Sequence, residues 1–197
     1  MYDLPILYGR FTKRLQDKIK WDKGVPQWEK VVQSGGCPLN PPSELPLMFR
    51  GRFYHTIDAK GRVSVPSGFR LELQGSSEQA PIVTNGVTEA GKCLWLYRYE
   101  DWCKYEARLV ALPPENLKVQ AYVRFMVSGA IECPIDNQGR MLLPAYLREH
   151  ATLEREVTIA GVGKRAEIWD KSLFDENQSE TQENFEDIAS VVAGLVQ

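Results

Sequence analysis

At 197 residues the chain can bury a sizeable core and suits one or two domains. With 43% hydrophobic and 25% charged residues it has an ordinary globular composition, and no apolar run approaches the roughly 18 residues of a membrane span. A net charge of −2 gives no global pull toward nucleic acid; Cys37, Cys93, Cys103 and Cys133 form no C-x-x-C pair, so neither a zinc site nor a redox motif is expected.

Residues 1–47 begin MYDLPILYGRFTKR, without the basic start, apolar stretch and small-residue cleavage site of a secretory leader, and a cytoplasmic location is expected. The segment holds Gly35-Gly36, Pro38, Pro41-Pro42 and Pro46 with a weak helical pattern at Arg10–Lys20, the composition of a poorly ordered extension. Charge then turns locally positive. Residues 50–70 carry Arg50, Arg52, Lys60, Arg62 and Arg70 against the single acid Asp58. A strand is expected at Phe53–Ile57, a turn at Asp58–Arg62, and a second strand at Val63–Val65 completing a hairpin. Pro66 stops that strand, and Ser67 opens a short helix that buries Phe69. A strand pair follows at Pro81–Thr84 and Cys93–Tyr97.

Two helices come next. Trp102, Tyr105, Leu109 and Leu112 mark Glu100–Leu112 at spacings of three and four; Pro113-Pro114 breaks it; Val119, Tyr122, Val123, Met126 and Val127 mark Glu115–Ser128. A strand at Ala130–Ile135, a turn at Asp136–Arg140, a strand at Met141–Leu143, a helix from Ala145 and a strand pair at Val157–Ala160 and Arg165–Trp169 complete the pattern. Residues 175–197 are acidic, without a base, and end in an apolar stretch of helical character; no counterpart to them is apparent earlier in the chain.

The chain repeats itself. IDAKGRVSVPSGFR (57–70) and IDNQGRMLLPAYLR (135–148) share Ile57/Ile135, Asp58/Asp136, Gly61/Gly139, Arg62/Arg140, Pro66/Pro144 and Arg70/Arg148 at a constant offset. Chance predicts about one such match at ordinary residue frequencies. LYRYEDW (96–102) further aligns with IWDKSLF (168–174). Each copy has roughly 50 residues and four strands, too few for a stable sheet alone, so the copies should pack face to face. The expected divisions are 1–47 as extension, 48–99 as first repeat, 100–129 as linking helices, 130–174 as second repeat and 175–197 as acidic tail.

With DAKGR, DNQGR, MFRG at Met48 and VRFMVSGAIE from Val123 in view, the sequence resembles the MraZ family, bacterial regulators related to AbrB-type DNA-binding proteins. The resemblance runs from Met48 to about Phe174. It implies an α+β, mainly β fold, a pseudo-twofold swapped-hairpin β-barrel of two tandem AbrB-like repeats with a helical hairpin between them, assembled into a closed homo-oligomeric ring. It also implies a nucleoid-associated repressor that binds short direct repeats of double-stranded DNA in the promoter of the division and cell-wall gene cluster, its own gene included. The family's DNA-contacting arginine falls on Arg62, with Lys60 beside it, and the second-copy partner falls on Arg140. Gln138 replaces Lys60 in the second motif, so unequal contacts are expected. A family member ordinarily begins at the position of Met48, which makes residues 1–47 either an extension or a start codon placed too far upstream.

Arginine and lysine on a tight turn sit at the end of a rigid hairpin, where contact costs little entropy. A guanidinium can meet phosphate or read guanine O6 and N7. Asp58, Gly61, Asp136 and Gly139 are read as shaping the turns. The alternative for Arg62 is an ion pair with Asp58 that only stiffens its turn. No enzyme and no cofactor are expected: His55 and His150 sit at unmatched repeat positions, and Gly161-Val-Gly163 is too short to cradle phosphate. A rival reading is a ring-forming protein scaffold without specific DNA binding.

Overall fold

The computed structural model describes residues 21–22, 25–26, 48–74 and 79–195. The chain divides into two units, Met1–Leu45 and Pro46–Gln197. In the first, β1 (Trp21–Asp22) pairs antiparallel with β2 (Val25–Pro26). The rest of the 1–47 extension, with the Arg10–Lys20 pattern and Cys37, lies outside the described residues.

The second unit runs β3 (Phe49–Thr56), β4 (Arg62–Ser64), α1 (Ser67–Gln74), β5 (Ile82–Thr88), β6 (Gly91–Tyr97), α2 (Tyr99–Val110), α3 (Leu117–Gly129), β7 (Ile131–Glu132), β8 (Arg140–Leu142), α4 (Ala145–His150), β9 (Glu156–Gly163), β10 (Arg165–Asp170), α5 (Lys171–Glu183) and α6 (Phe185–Leu195). It is a mixed fold with antiparallel strands: a six-stranded sheet, β3-β9-β10-β6-β5-β7, and a two-stranded sheet, β4-β8. β3 and β7 are its outer strands, so the ladders form an open sheet rather than a closed barrel. Among the described residues no helix is long and apolar enough to cross a membrane.

The central strands show why the sheet is covered on both faces. Cys93 to Tyr97 on β6 and Ala166 to Trp169 on β10 are all buried, a continuous run rather than an in-out alternation. Along β6, Leu94 and Leu96 enter a core with β4, β8, α1 and α4, built on Val63, Phe69, Met141 and Leu147. Cys93, Trp95 and Tyr97 enter a second core with Trp102, Leu109, Met126 and Phe174 from the helices. Pro113-Pro114 separates α2 from α3, and the Asn116 side chain caps α3 by accepting from Lys118 N at 3.0 Å.

The two copies interlock strand by strand. Val63 faces Met141 in β4-β8, and these are each other's repeat equivalents. Trp95 faces Glu167 in β6-β10 in the same self-matched way, flanked by Leu94–Ile168 and Leu96–Ala166. Val65 N donates to Gly139 O and Leu143 N to Gly61 O, both at 2.9 Å, a reciprocal pair. A pseudo-twofold axis therefore passes through both ladders.

This revises the expected hairpins. Each shrinks to one bridge, Ile57–Val63 in the first copy and Ile135–Met141 in the second. β3 instead pairs along all eight of its residues with β9 of the other copy. Two short strands on a tight turn satisfy few backbone groups locally, and exchanging partners across the axis satisfies many more. The acidic tail is also revised. Its first helix, α5, follows β10 as α2 follows β6, and Phe174 anchors it in the same core as its repeat equivalent Trp102.

Two outcomes follow from the packing. Met141 is fully buried on the axis, and Met141→Ala lowers unfolding free energy by about 2–5 kcal/mol in a denaturant titration. Burial pushes the Cys93 and Cys133 thiols up to about 12, so both resist iodoacetamide at pH 8 in the native protein and react after unfolding.

Candidate nucleic-acid interface

The two Asp-x-x-x-Arg turns are built alike. At the first, Asp58 N donates to Arg62 O at 2.9 Å and Gly61 N to Asp58 O at 2.8 Å, closing the reversal. One carboxylate oxygen of Asp58 accepts from Lys60 N at 2.9 Å and Arg62 N at 3.0 Å. The other accepts from Arg62 Nε at 2.7 Å and Nη2 at 2.6 Å. At the second, one oxygen of Asp136 accepts from Gln138 N and Arg140 N, both at 2.9 Å, and the other from Arg140 Nε at 3.0 Å and Nη2 at 2.8 Å. Aspartate is required because one short carboxylate must reach two backbone donors and a side chain four residues on. Glutamate would overshoot.

Those hydrogen bonds hold the carboxylates in their charged form. The Arg62 side chain is the largest cause drawing the Asp58 carboxyl down to about 2, and the Arg140 side chain likewise lowers Asp136. The ion pair weighed for Arg62 is thus present, and the second turn repeats it. Both guanidinium groups nevertheless keep free donors. Nε and one Nη2 hydrogen are engaged on one edge, which leaves the Nη1 hydrogens and the second Nη2 hydrogen for another acceptor.

The glycines are dictated by conformation. Gly61 has φ +80° and Gly139 φ +75°, left-handed backbone that a side chain strains. Each turn is also overlaid from the opposite copy. The Arg148 guanidinium lies against Gly61, and that of Arg70 lies against Gly139. Arg148 Nε is held by Leu143 O at 3.0 Å. The sequence placed Arg70 only among the positive residues of 50–70 and gave Arg148 no role beyond its match to Arg70. The available signal was their identity at matched repeat positions.

β4-β8 brings the turns together. Val63 and Met141 point inward and are fully buried, which leaves Arg62, Ser64, Arg140 and Leu142 on the outer face. Arg62 faces Leu142 and Arg140 faces Ser64, so the two arginines are diagonal neighbours, about 7–8 Å apart in a regular ladder. Their side chains are 30% and 26% exposed. Lys60 stands exposed beside the first turn, and Gln138 takes its place at the second. Arg52 leads elsewhere: it bonds Gln178 at 2.6 Å and lies over the Phe174 ring. His150 is engaged by the Gly86 carbonyl at 3.1 Å and packs on Phe125.

Comparison with known proteins is specific. The family described as "MraZ protein, putative antitoxin-like" matches residues 48–125 and again residues 126–193. A protein of Thermoanaerobacter sp. (strain X514) named transcriptional regulator MraZ is 44% identical over 142 residues, which is 72% of this chain and 94% of that protein. Relatives of the same name from Alkaliphilus oremlandii and Desulforamulus reducens are 43% identical over 148 residues and 41% over 149, spanning 99% and 100% of those proteins.

Two measurements check the turn. The folded carboxyl of Asp58 sits below its ordinary 3.8, so the ion pair favours the fold above that value and is lost as pH falls through about 2. Carboxyl carbon NMR should show no change at Asp58 from pH 8 to 5 and a midpoint near 2. Gly61→Ala and Gly139→Ala should each lower stability by about 1–2 kcal/mol from left-handed strain. The arginine over each glycine can swing aside, so Arg70→Ala should not rescue Gly139→Ala in thermal melts.

Proposed function

Because the chain belongs to the MraZ family, matched twice in succession and at 44% identity by a near-full-length relative, we propose that it regulates transcription by binding double-stranded DNA through its two Asp-x-x-x-Arg turns. The observation that carries this reading is the common outer face of β4-β8, where the pseudo-twofold sets Arg62 and Arg140 side by side. Each aspartate clamps its arginine along one edge and aims the remaining donors outward, a preorganised fork of the kind that reads guanine O6 and N7 in the major groove. With the arginines neutralised by their partners, Lys60 supplies the unpaired charge for phosphate contact.

The target we assign is a set of direct repeats in the promoter of the division and cell-wall gene cluster, occupied by a closed homo-oligomeric ring so that transcription is blocked. Weak single contacts then add through multivalency, which suits a chain of net charge −2. The setting is the cytoplasm, on the nucleoid, and the function needs no catalytic group or cofactor. Cross-copy pairing of β3 with β9 and β4 with β8 supports reading the fold as an exchange of hairpin strands between two repeats, at 48–99 and 130–174, joined by helices at 100–129.

Electrophoretic mobility of the full chain on DNA upstream of its own gene cluster tests the proposal. A specific shift that weakens steeply with salt is expected. Arg62→Ala should abolish it, and Arg140→Ala should weaken it less, since Gln138 supplies no charge at that turn. Lys60→Ala should weaken binding to all sequences alike and reduce the salt slope by about one. An unaltered shift with Arg62→Ala overturns the assignment. An assembled ring that shifts no promoter DNA favours the protein scaffold, a reading the Asp58–Arg62 and Asp136–Arg140 pairs would suit.

A further inference from the structure

Helix α6 carries Phe185, Ile188, Val191, Val192 and Leu195, exposed by 44% at Ile188 up to 80% at Leu195, and no residue of the helix is buried. At 100° per residue these side chains fall within about 120° of the circumference, a continuous stripe. Scattered apolar residues are normal on a protein surface, whereas an apolar stripe with a polar back is the pattern of a helix that docks into a groove.

The same chain carries an open groove. Leu109, Val110, Leu112, Val119, Val123 and Arg124 line a hollow of about 290 Å³ between α2 and α3. Val110 and Leu112 at its edge are exposed. Arg124 is the charged side chain among the groove's lining residues, and α6 is acidic. α3 holds Lys118 and Arg124 with no acid, while α6 holds Glu186 and Asp187 with no base, as does the whole chain from Asp175 onward. The repeat makes the contrast sharper. α3 buries Met126 against β5, with Thr84 Oγ1 donating to the Met126 carbonyl at 2.7 Å, whereas its counterpart α6 buries no side chain among the described residues.

We propose that α6 of one copy seats its apolar stripe in the α2-α3 groove of a second copy, with Asp187 beside the stripe facing Arg124. The groove and the helix are different surfaces, so the contact is heterologous: every copy gives one and receives one, and the chain of contacts ends only by closing on itself. The inference rests on the ring reading above and names the faces that join.

Light scattering of the full chain on a sizing column, without DNA, tests it. Wild type should elute as an oligomer. Ile188→Asp with Val192→Asp, and separately Arg124→Glu, should each reduce it toward single chains with unchanged circular dichroism, because these positions are outside both cores. Mixing the two defective proteins leaves one intact helix and one intact groove between them, so the mixture should form dimers and nothing larger. Adding Asp187→Arg to Arg124→Glu should restore the oligomer. An oligomer that survives Ile188→Asp with Val192→Asp overturns this interface and leaves the ring in place; a monomeric wild type overturns both. Loss with the α6 variant but not with Arg124→Glu, or a mixture that yields no dimer, places α6 in some other site and sinks the pairing with the groove.

Discussion

The structure depends on strand pairing between the two copies of the repeat. Val63 against Met141 and Trp95 against Glu167 are rungs in which equivalent residues of the two copies meet each other. Neither copy satisfies its backbone alone: within its own copy each of β4 and β8 has a single bridge and forms its ladder with the other, and β3 leans on β9 for its whole length. Folding is accordingly a property of the pair. A change at the axis acts on both turns, because Gly61 O and Gly139 O accept from the strands that leave the opposite turn.

That constraint also makes the turns rigid. Each is closed from within by its aspartate and from across the axis by an arginine of the other copy, Arg148 over Gly61 and Arg70 over Gly139. A loop fixed on both sides loses little freedom when it meets a partner, and binding sites benefit from such support. The ion pair and an outward-facing recognition role are compatible for the same reason: the carboxylate takes one edge of the guanidinium and sets the direction of the other.

Much of this was legible in the residues. The 57–70 and 135–148 segments announced the duplication, and the turn residues Asp58, Gly61, Arg62 and their counterparts stood at matched positions. Helix periodicity placed α2 and α3 to within two residues at each end. What the residues could not disclose was partnership. Alternation in Val63–Val65 says that a strand is present but not which strand it joins, and the nearer candidate took only a single bridge. Arg70 and Arg148 were hidden for a related reason. Their contacts lie in the other copy, and only their identity at equivalent positions hinted at a shared task. The tail misled because Glu and Asp dominate it, while a single buried side chain, Phe174, decides how α5 sits.

The mismatch of Lys60 with Gln138 has one more consequence. The backbone of the two turns is related by a dyad, but the side chains at their tips are not, so one end of the outer face carries a positive charge that the other lacks. A surface of this kind has a heading. On the DNA-binding function proposed above, it would tell one direction along a duplex from the opposite one, as a perfectly symmetric face could not, and a file of such faces all pointing the same way would match elements written in tandem rather than as palindromes.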